Sequence, residues 1–285
     1  MLKTSNEPAE KVFSSAVDPG HATGGLGQLY QHRRLLWAFV VKDLRHRYVG
    51  STIGFFWTVV TPLLELATYT FVFHVLLDIK FHPAGGWSNY ALFLFSGMVT
   101  WFAFTEGVTR SATSVTDHGH LIKKVNFPAV VLPAHLIVSA VLNQGIRIAV
   151  LCAAAIVLGH GLSWHVALIP LVVVVQTMLV LGLGLLLATI GVYFRDTVHW
   201  LNSFLLLGMF VTPIFYPANI YPQQFKLLLQ LNPLAHLVGV YQELLLNQRF
   251  PHPHSVIVTV IVSMVCLLVG YSVFHHHRER FPDLV

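Results

Sequence analysis

Apolar residues run through this chain in long blocks. The blocks cover residues 53–77, 90–108, 130–158, 166–192, 199–216 and 255–274, and none carries more than one charged side chain. A helix that crosses a bilayer needs about 20 mostly apolar residues. The pattern therefore predicts an all-α polytopic membrane protein with six transmembrane helices, the fifth the shortest. Ahead of the first block, Trp37, Val40, Val41, Leu44 and Tyr48 recur at helical spacing on one face, and Arg34, Lys42 and Arg45 fall on the other. This predicts an amphipathic helix over 29–48, lying in the membrane interface with its apolar face down. Residues 1–27 are polar and glycine-containing and are expected to be a flexible cytoplasmic tail, leaving 28–285 as a single membrane domain.

Between the fifth and sixth blocks the pattern changes. Pro213-Ile214-Phe215-Tyr216-Pro217 interrupts the fifth run, and two helix-length pieces, 223–231 and 234–246, flank Asn232-Pro233. Both pieces are too short to span alone. They are expected either to dip into the bilayer as half-helices or to lie as an amphipathic hairpin on its surface.

Composition agrees with the pattern. The chain has 285 residues, 55% hydrophobic and only 10% charged, with mean hydropathy +0.68. Soluble domains carry about 25% charged residues, and disordered chains are poor in apolar ones, so both classes are excluded. Cys152 and Cys266 sit in apolar runs and imply neither a disulfide framework nor a metal knuckle.

The position of the charges sets an expected topology. Thirteen Lys and Arg residues, seven of them within 1–52, fall on one side, against Lys80, Lys226 and Arg249 on the other. The positive side is cytoplasmic, so both termini are expected there. Membrane lipid, not nucleic acid, is the surface these charges are expected to meet.

Motifs for chemistry are missing. There is no GxxxxGK[ST] phosphate loop, HExxH or GxSxG, so no catalytic residue, cofactor or metal is expected on this chain. Gly182 and Gly184 fall mid-span, where small residues let helices pack closely. The seventeen histidines are mostly scattered, and the run His275-His276-His277 reads as interfacial polarity. Glu65 lies about 18 Å along its helix and Arg147 about 21 Å along another that starts on the same side. Charges at such depth pair or face a cavity. Glu65 and Arg147 are therefore expected to pair or to line a polar passage, a structural polar contact being the alternative. Glu106 lies nearer the inner end of its span, within reach of water. The basic stretch HGHLIKKVNFPAVVLP, 118–133, could form a short helix that docks into a partner.

Several stretches in series resemble the membrane-spanning subunits of polysaccharide-exporting ABC transporters, the O-antigen and teichoic-acid exporter group. They are Lys42-Asp43-Leu44, Arg47-Tyr48, Gly50-Ser51, Gly54-Phe55-Phe56-Trp57, Thr61-Pro62-Leu63, Gly97 with Trp101, and Leu121-Ile122-Lys123-Lys124-Val125 with Phe127-Pro128. Tyr193-Phe194-Arg195-Asp196, the Pro213–Pro217 stretch and Asn232-Pro233-Leu234 follow in family order. Thr61 stands where asparagine is common, Gln242 near a frequent arginine, and Glu65 is more polar than usual.

The resemblance implies a permease subunit in the inner membrane. It would work as a second copy of itself joined to a dimer of a nucleotide-binding ATPase subunit, which carries ATP and magnesium, and would export a lipid-linked glycan. Leu121, Ile122, Lys123, Lys124, Val125 and Phe127 would form the ATPase-coupling helix, with Arg195 and Asp196 beside it. Trp37, Val40, Val41, Leu44, Arg45 and Tyr48 would form the interface helix. Glu65, Arg147, Phe215, Tyr216, Asn232 and Pro233 would belong to the translocation path or its gate, with aromatic residues of spans one and five lining it. The alternatives are an ABC permease for a small molecule or drug and a membrane acyl- or glycosyltransferase.

Overall fold

The computed structural model describes residues 27–47, 54–76, 87–124 and 127–285. Residues 1–26 of the expected tail 1–27, together with Tyr48, Gly50, Ser51, Lys80 and Val125, lie outside the described residues, and Gly27 opens a helical turn. Regular structure among the described residues is helical throughout. A short turn, Gly27–Gln31, leads through His32 into α1 (Arg33–His46). Then come α2 (Trp57–Thr70), continued by a π-helical turn Phe71–Leu76, α3 (Trp87–Asp117), α4 (Gly119–Lys124) and α5 (Val131–Val157). They are followed by α6 (Ile169–Tyr193), α7 (Thr197–Val211), α8 (Lys226–Leu231), α9 (Pro233–Leu245), α10 (Pro253–His277) and α11 (Phe281–Leu284).

Four segments among the described residues are long and apolar enough to cross a bilayer: Tyr90–Asp117, Val131–Val157, Trp164–Tyr193 and Pro253–Leu284. Thr197–Val211 is a shorter apolar helix. The chain is a multi-pass helical membrane protein. Two boundaries differ from the hydropathy pattern for physical reasons. α3 continues nine residues beyond 108, because the charges that end its apolar run find partners on α1. α7 stops at Val211, five residues short of 216, because Thr212 is extended (ψ 137°) before Pro213, and a residue preceding proline avoids the helical region.

α3 is the axis of the bundle. Its apolar window is 78% buried, against 22% for that of the last helix, and it touches α2, α5, α6, α7 and α9. α6 and α10 form the most intimate helix pair. A Cβ added to Gly270 of α10 would land on the Gly182 carbonyl of α6, and one added to Gly182 would land on the Cys266 carbonyl. Gly191 meets the Ala112 carbonyl of α3 in the same way, and Gly184 faces Ser111 and Ile137. Backbones meet directly where side chains are absent, the packing that apolar solvent favours. α5 closes with a Schellman motif: Gly159 adopts φ +80°, His160 donates to Ala155 and Gly159 to Ile156, each at 3.0 Å.

Gly270→Val should therefore force α6 and α10 apart, at a cost of about 3 kcal/mol. Its detergent-solubilised melting midpoint should fall by several degrees. Gly239→Ala, where a Cβ meets nothing within 4 Å, should melt with the parent.

Candidate functional site

Three features stand out inside the bundle. The first is a hydrogen-bonded node. Gln144 of α5 donates to Gln176 Oε1 at 2.8 Å and to the Tyr241 hydroxyl at 3.1 Å. Tyr241 of α9 donates to Gln176 Oε1 at 2.8 Å. Gln176 of α6 donates to the Thr100 carbonyl of α3 at 3.1 Å. All three side chains are essentially inaccessible. The only sequence signal was two glutamines inside otherwise apolar runs, and the pattern alone did not single them out.

The second feature is a charged cluster where α1 meets α3. Arg110 of α3 grips the Asp43 carboxylate with both guanidinium nitrogens, one at 3.0 Å. Arg47 bonds Asp43 at 3.3 Å and pairs closely with Glu106. Glu106 is thus held by arginine rather than left to water. Burial alone would raise the Asp43 carboxyl, but the Arg110 and Arg47 guanidiniums outweigh it and hold it at about 2. A cleft of about 380 Å³ opens beside this cluster, lined by Lys42, His46, Arg110, His118 and His135 among others.

α1 packs on α5, which divides its apolar face. Val40 is buried, Val41 and Leu44 are half-buried, and Trp37 and Arg45 point outward. Phe39 sits against Phe127 and His135, with centroids 5.9 and 5.2 Å away.

The third feature is the deep ion pair. Arg147 of α5 lies 3.8 Å from Glu65 of α2, and its guanidinium sits 5.0 Å over the Phe102 ring of α3. The structure brings Glu65 and Arg147 together as their depths suggested. A second cavity of about 140 Å³, lined by Arg47, Thr58, Thr61, Glu106, Asn143 and Arg147, connects this pair to the charged cluster. A polar seam therefore runs between α2, α3 and α5. Polar walls and this volume suit water.

At the opposite end, Asn232 caps α9. Its side chain accepts from the Leu234 and Ala235 amides at 3.0 and 3.4 Å and donates to Thr212 at 2.9 Å, and Pro233 occupies the first helical turn. α9 lies among α3, α6 and α10 with most of one face buried, whereas Leu227, Leu228 and Leu231 of α8 are exposed. Phe215 stacks on Phe210 at 5.5 Å and meets Tyr69 at 6.3 Å. Tyr216 lies 5.9 Å from Tyr221. Exposed Leu64 on α2, Phe56 just before it and Phe71 just after it, with Trp200, Phe204 and Phe210 on α7, leave a broad apolar surface.

Leu121, Ile122 and Phe127 lie at the α1 end, in the apolar cluster that also takes in Phe39. Ile122 is buried, Leu121 and Phe127 are half-buried and Lys123 is exposed. Arg195 and Asp196 are exposed in the turn between α6 and α7. Ile122 and Val192, which precedes that turn, share one apolar cluster.

Asp43→Asn should loosen α1. The pair is only partly exposed, so the loss should lie between surface and buried values, about 2 kcal/mol, raising hydrogen exchange of the α1 amides about 30-fold. Since the folded carboxyl is depressed, the wild-type contact is complete above the unfolded value of about 3.9. It is lost as the pH falls through about 2. Tyr241→Phe strands buried glutamine groups and should cost about 1–2 kcal/mol, read as a lower melting midpoint.

Residues 34–246 match the family model of ABC-2 type transporters. The chain is 33% identical to an O-antigen export system permease protein RfbA of Myxococcus xanthus, over 90% of its own length and 98% of the relative's. It is 28% identical to one from Klebsiella pneumoniae over 91% and 97%. It is also 23% identical to the polysialic acid transport protein KpsM of Escherichia coli, over 85% and 93%. On this match the chain belongs to the ABC-2 type transporter family of membrane proteins.

Proposed function

We propose that this chain is the permease subunit of an ABC exporter that moves a lipid-linked polysaccharide of the O-antigen type across the inner membrane. The observation that carries the reading is the near full-length likeness, at 33% identity, to an O-antigen export permease. In this reading the chain crosses the membrane six times, with both termini in the cytoplasm. The shorter helices α2 and α7 supply the two further spans. Two copies face each other across the exposed apolar surfaces of α2 and α7. Aromatic rings there suit the C–H faces of sugars, and weak repeated contacts let a polymer slide.

The chain itself performs no catalysis in this reading. ATP and magnesium belong to a separate nucleotide-binding subunit, present as a dimer. Closure of that dimer pushes on α4, where Leu121 and Lys123 form the contact, with Arg195 and Asp196 alongside. α1 rests in the inner leaflet, packed on α5, and moves with α3 through the Asp43–Arg110 pairing. The Glu65–Arg147 pair and the hydrated seam let α2 shift against α3 and α5 while its charge stays compensated. α8, Asn232-Pro233 and α9, together with Phe215 and Tyr216, form the outer gate.

The decisive experiment purifies the chain from its native membrane in mild detergent and measures stoichiometry by mass. One ATPase subunit per chain, with hydrolysis stimulated by lipid-linked glycan, is the expected result. A chain that purifies alone across several detergents overturns it. In the assembled complex, Lys123→Glu should reduce export about tenfold, the scale of a lost charged interfacial contact. Unchanged ATPase association and export would remove α4 from the coupling role.

A further inference from the structure

The segment that follows α10 stays in the bundle. The turn Arg278–Arg280 leads into α11. Phe281 is fully buried, its ring 5.2 Å from that of Phe274 on α10 and steeply inclined to it. It lies in the apolar cluster that holds Val115 of α3, Ile122 of α4 and Val192 of α6. Val285 covers Gly119, the first residue of α4, so closely that a Cβ at Gly119 would strike its side chain. Arg278 donates to the Gln28 side chain at 3.2 Å.

A six-residue helix such as α4 is too short to hold its own shape in isolation. Its position is set by what it packs on. α11 packs on α4 and also on α6, and it is joined to α10 through three residues. α10 is fixed in turn to α6 at Gly182 and Gly270 and packs along α9.

We infer that residues 278–285 form a clasp that makes α4 and α10 move as one body, with Phe281 the positioning residue. A displacement of α4 then reaches the last long helix directly, and through it α9, without passing along α3. This rests on the coupling reading above. Phe281 is fully buried, so it acts through the helices packed around it.

The test uses the complete chain with its ATPase subunit. In Phe281→Ala the complex should assemble and hydrolyse ATP within about twofold of the parent, while export per assembled complex falls about tenfold, the scale of a lost coupling contact. Phe281→Leu should restore most of it. Export per complex equal to the parent's overturns the clasp. A second arm introduces Gly119→Cys with Val285→Cys, in a background carrying Cys152→Ala and Cys266→Ala, and oxidises the pair. Two segments that travel together should tolerate the cross-link, so export should persist. Export that is lost on oxidation and regained on reduction overturns the clasp, and this arm decides alone if Phe281→Ala fails to accumulate. A parent chain that captures no ATPase subunit would count against the exporter reading itself, a result separate from either arm.

Discussion

Inside a bilayer a buried polar group has no water to fall back on, and this chain gathers three such side chains at one point. Gln144, Gln176 and Tyr241 bond one another, and Gln176 also bonds the α3 backbone. Four helices are thereby fixed in rotation as well as in distance. Turning any one of them by a single residue is a rotation of about 100°, which would carry a side chain out of the network and leave its neighbours unpaired. Glycine contacts determine how close the helices lie. The node determines which face each helix presents, and the apolar clusters fill in around that choice.

The bundle divides into two halves with different contacts. Around α6 and α10 the contact is dry and backbone to backbone, with no side chain able to adjust at the Gly182–Gly270 crossing. Around α1, α2, α3 and α5 the contacts are long, flexible ion pairs bordering two cavities. Close-packed backbones resist sliding. Arginine and carboxylate pairs beside polar cavities offer one another alternative partners, as Arg47 and Arg110 both reach Asp43 and Glu106. Relative motion is accordingly cheaper in the ion-paired half than in the close-packed one.

Much of this was legible in the hydropathy pattern, because burial in lipid constrains long stretches uniformly. The four long helices coincide with four of the apolar blocks, and counting rise per residue placed Glu65 and Arg147 at matching depth. Gly182 was legible too, since a glycine inside an apolar run has few reasons to be there other than close packing. The Asp43 cluster was not. Periodicity separates the apolar from the polar face of α1, but it cannot tell a polar side chain facing water from one facing Arg110. For the same reason α3 extends past Glu106 and Arg110, where hydropathy ends and ion pairing takes over. The place of α9 inside the bundle was left open because its short apolar face fits a surface equally well. The Asn232 contact with Thr212 is tertiary, and no local pattern encodes it.

The node also has a history during synthesis. Gln176 and Tyr241 are 65 positions apart. At about 5–20 residues per second, the ribosome delivers Tyr241 roughly 3–13 s after Gln176. For that interval Gln144 and Gln176 have each other and the α3 backbone but lack the tyrosine hydroxyl. The newborn bundle is held incomplete until α9 arrives, and the arrival of α10 then seals the Gly182 contact. A chain truncated before α9 would keep the Gln144–Gln176 bond but lose the hydroxyl that completes the node.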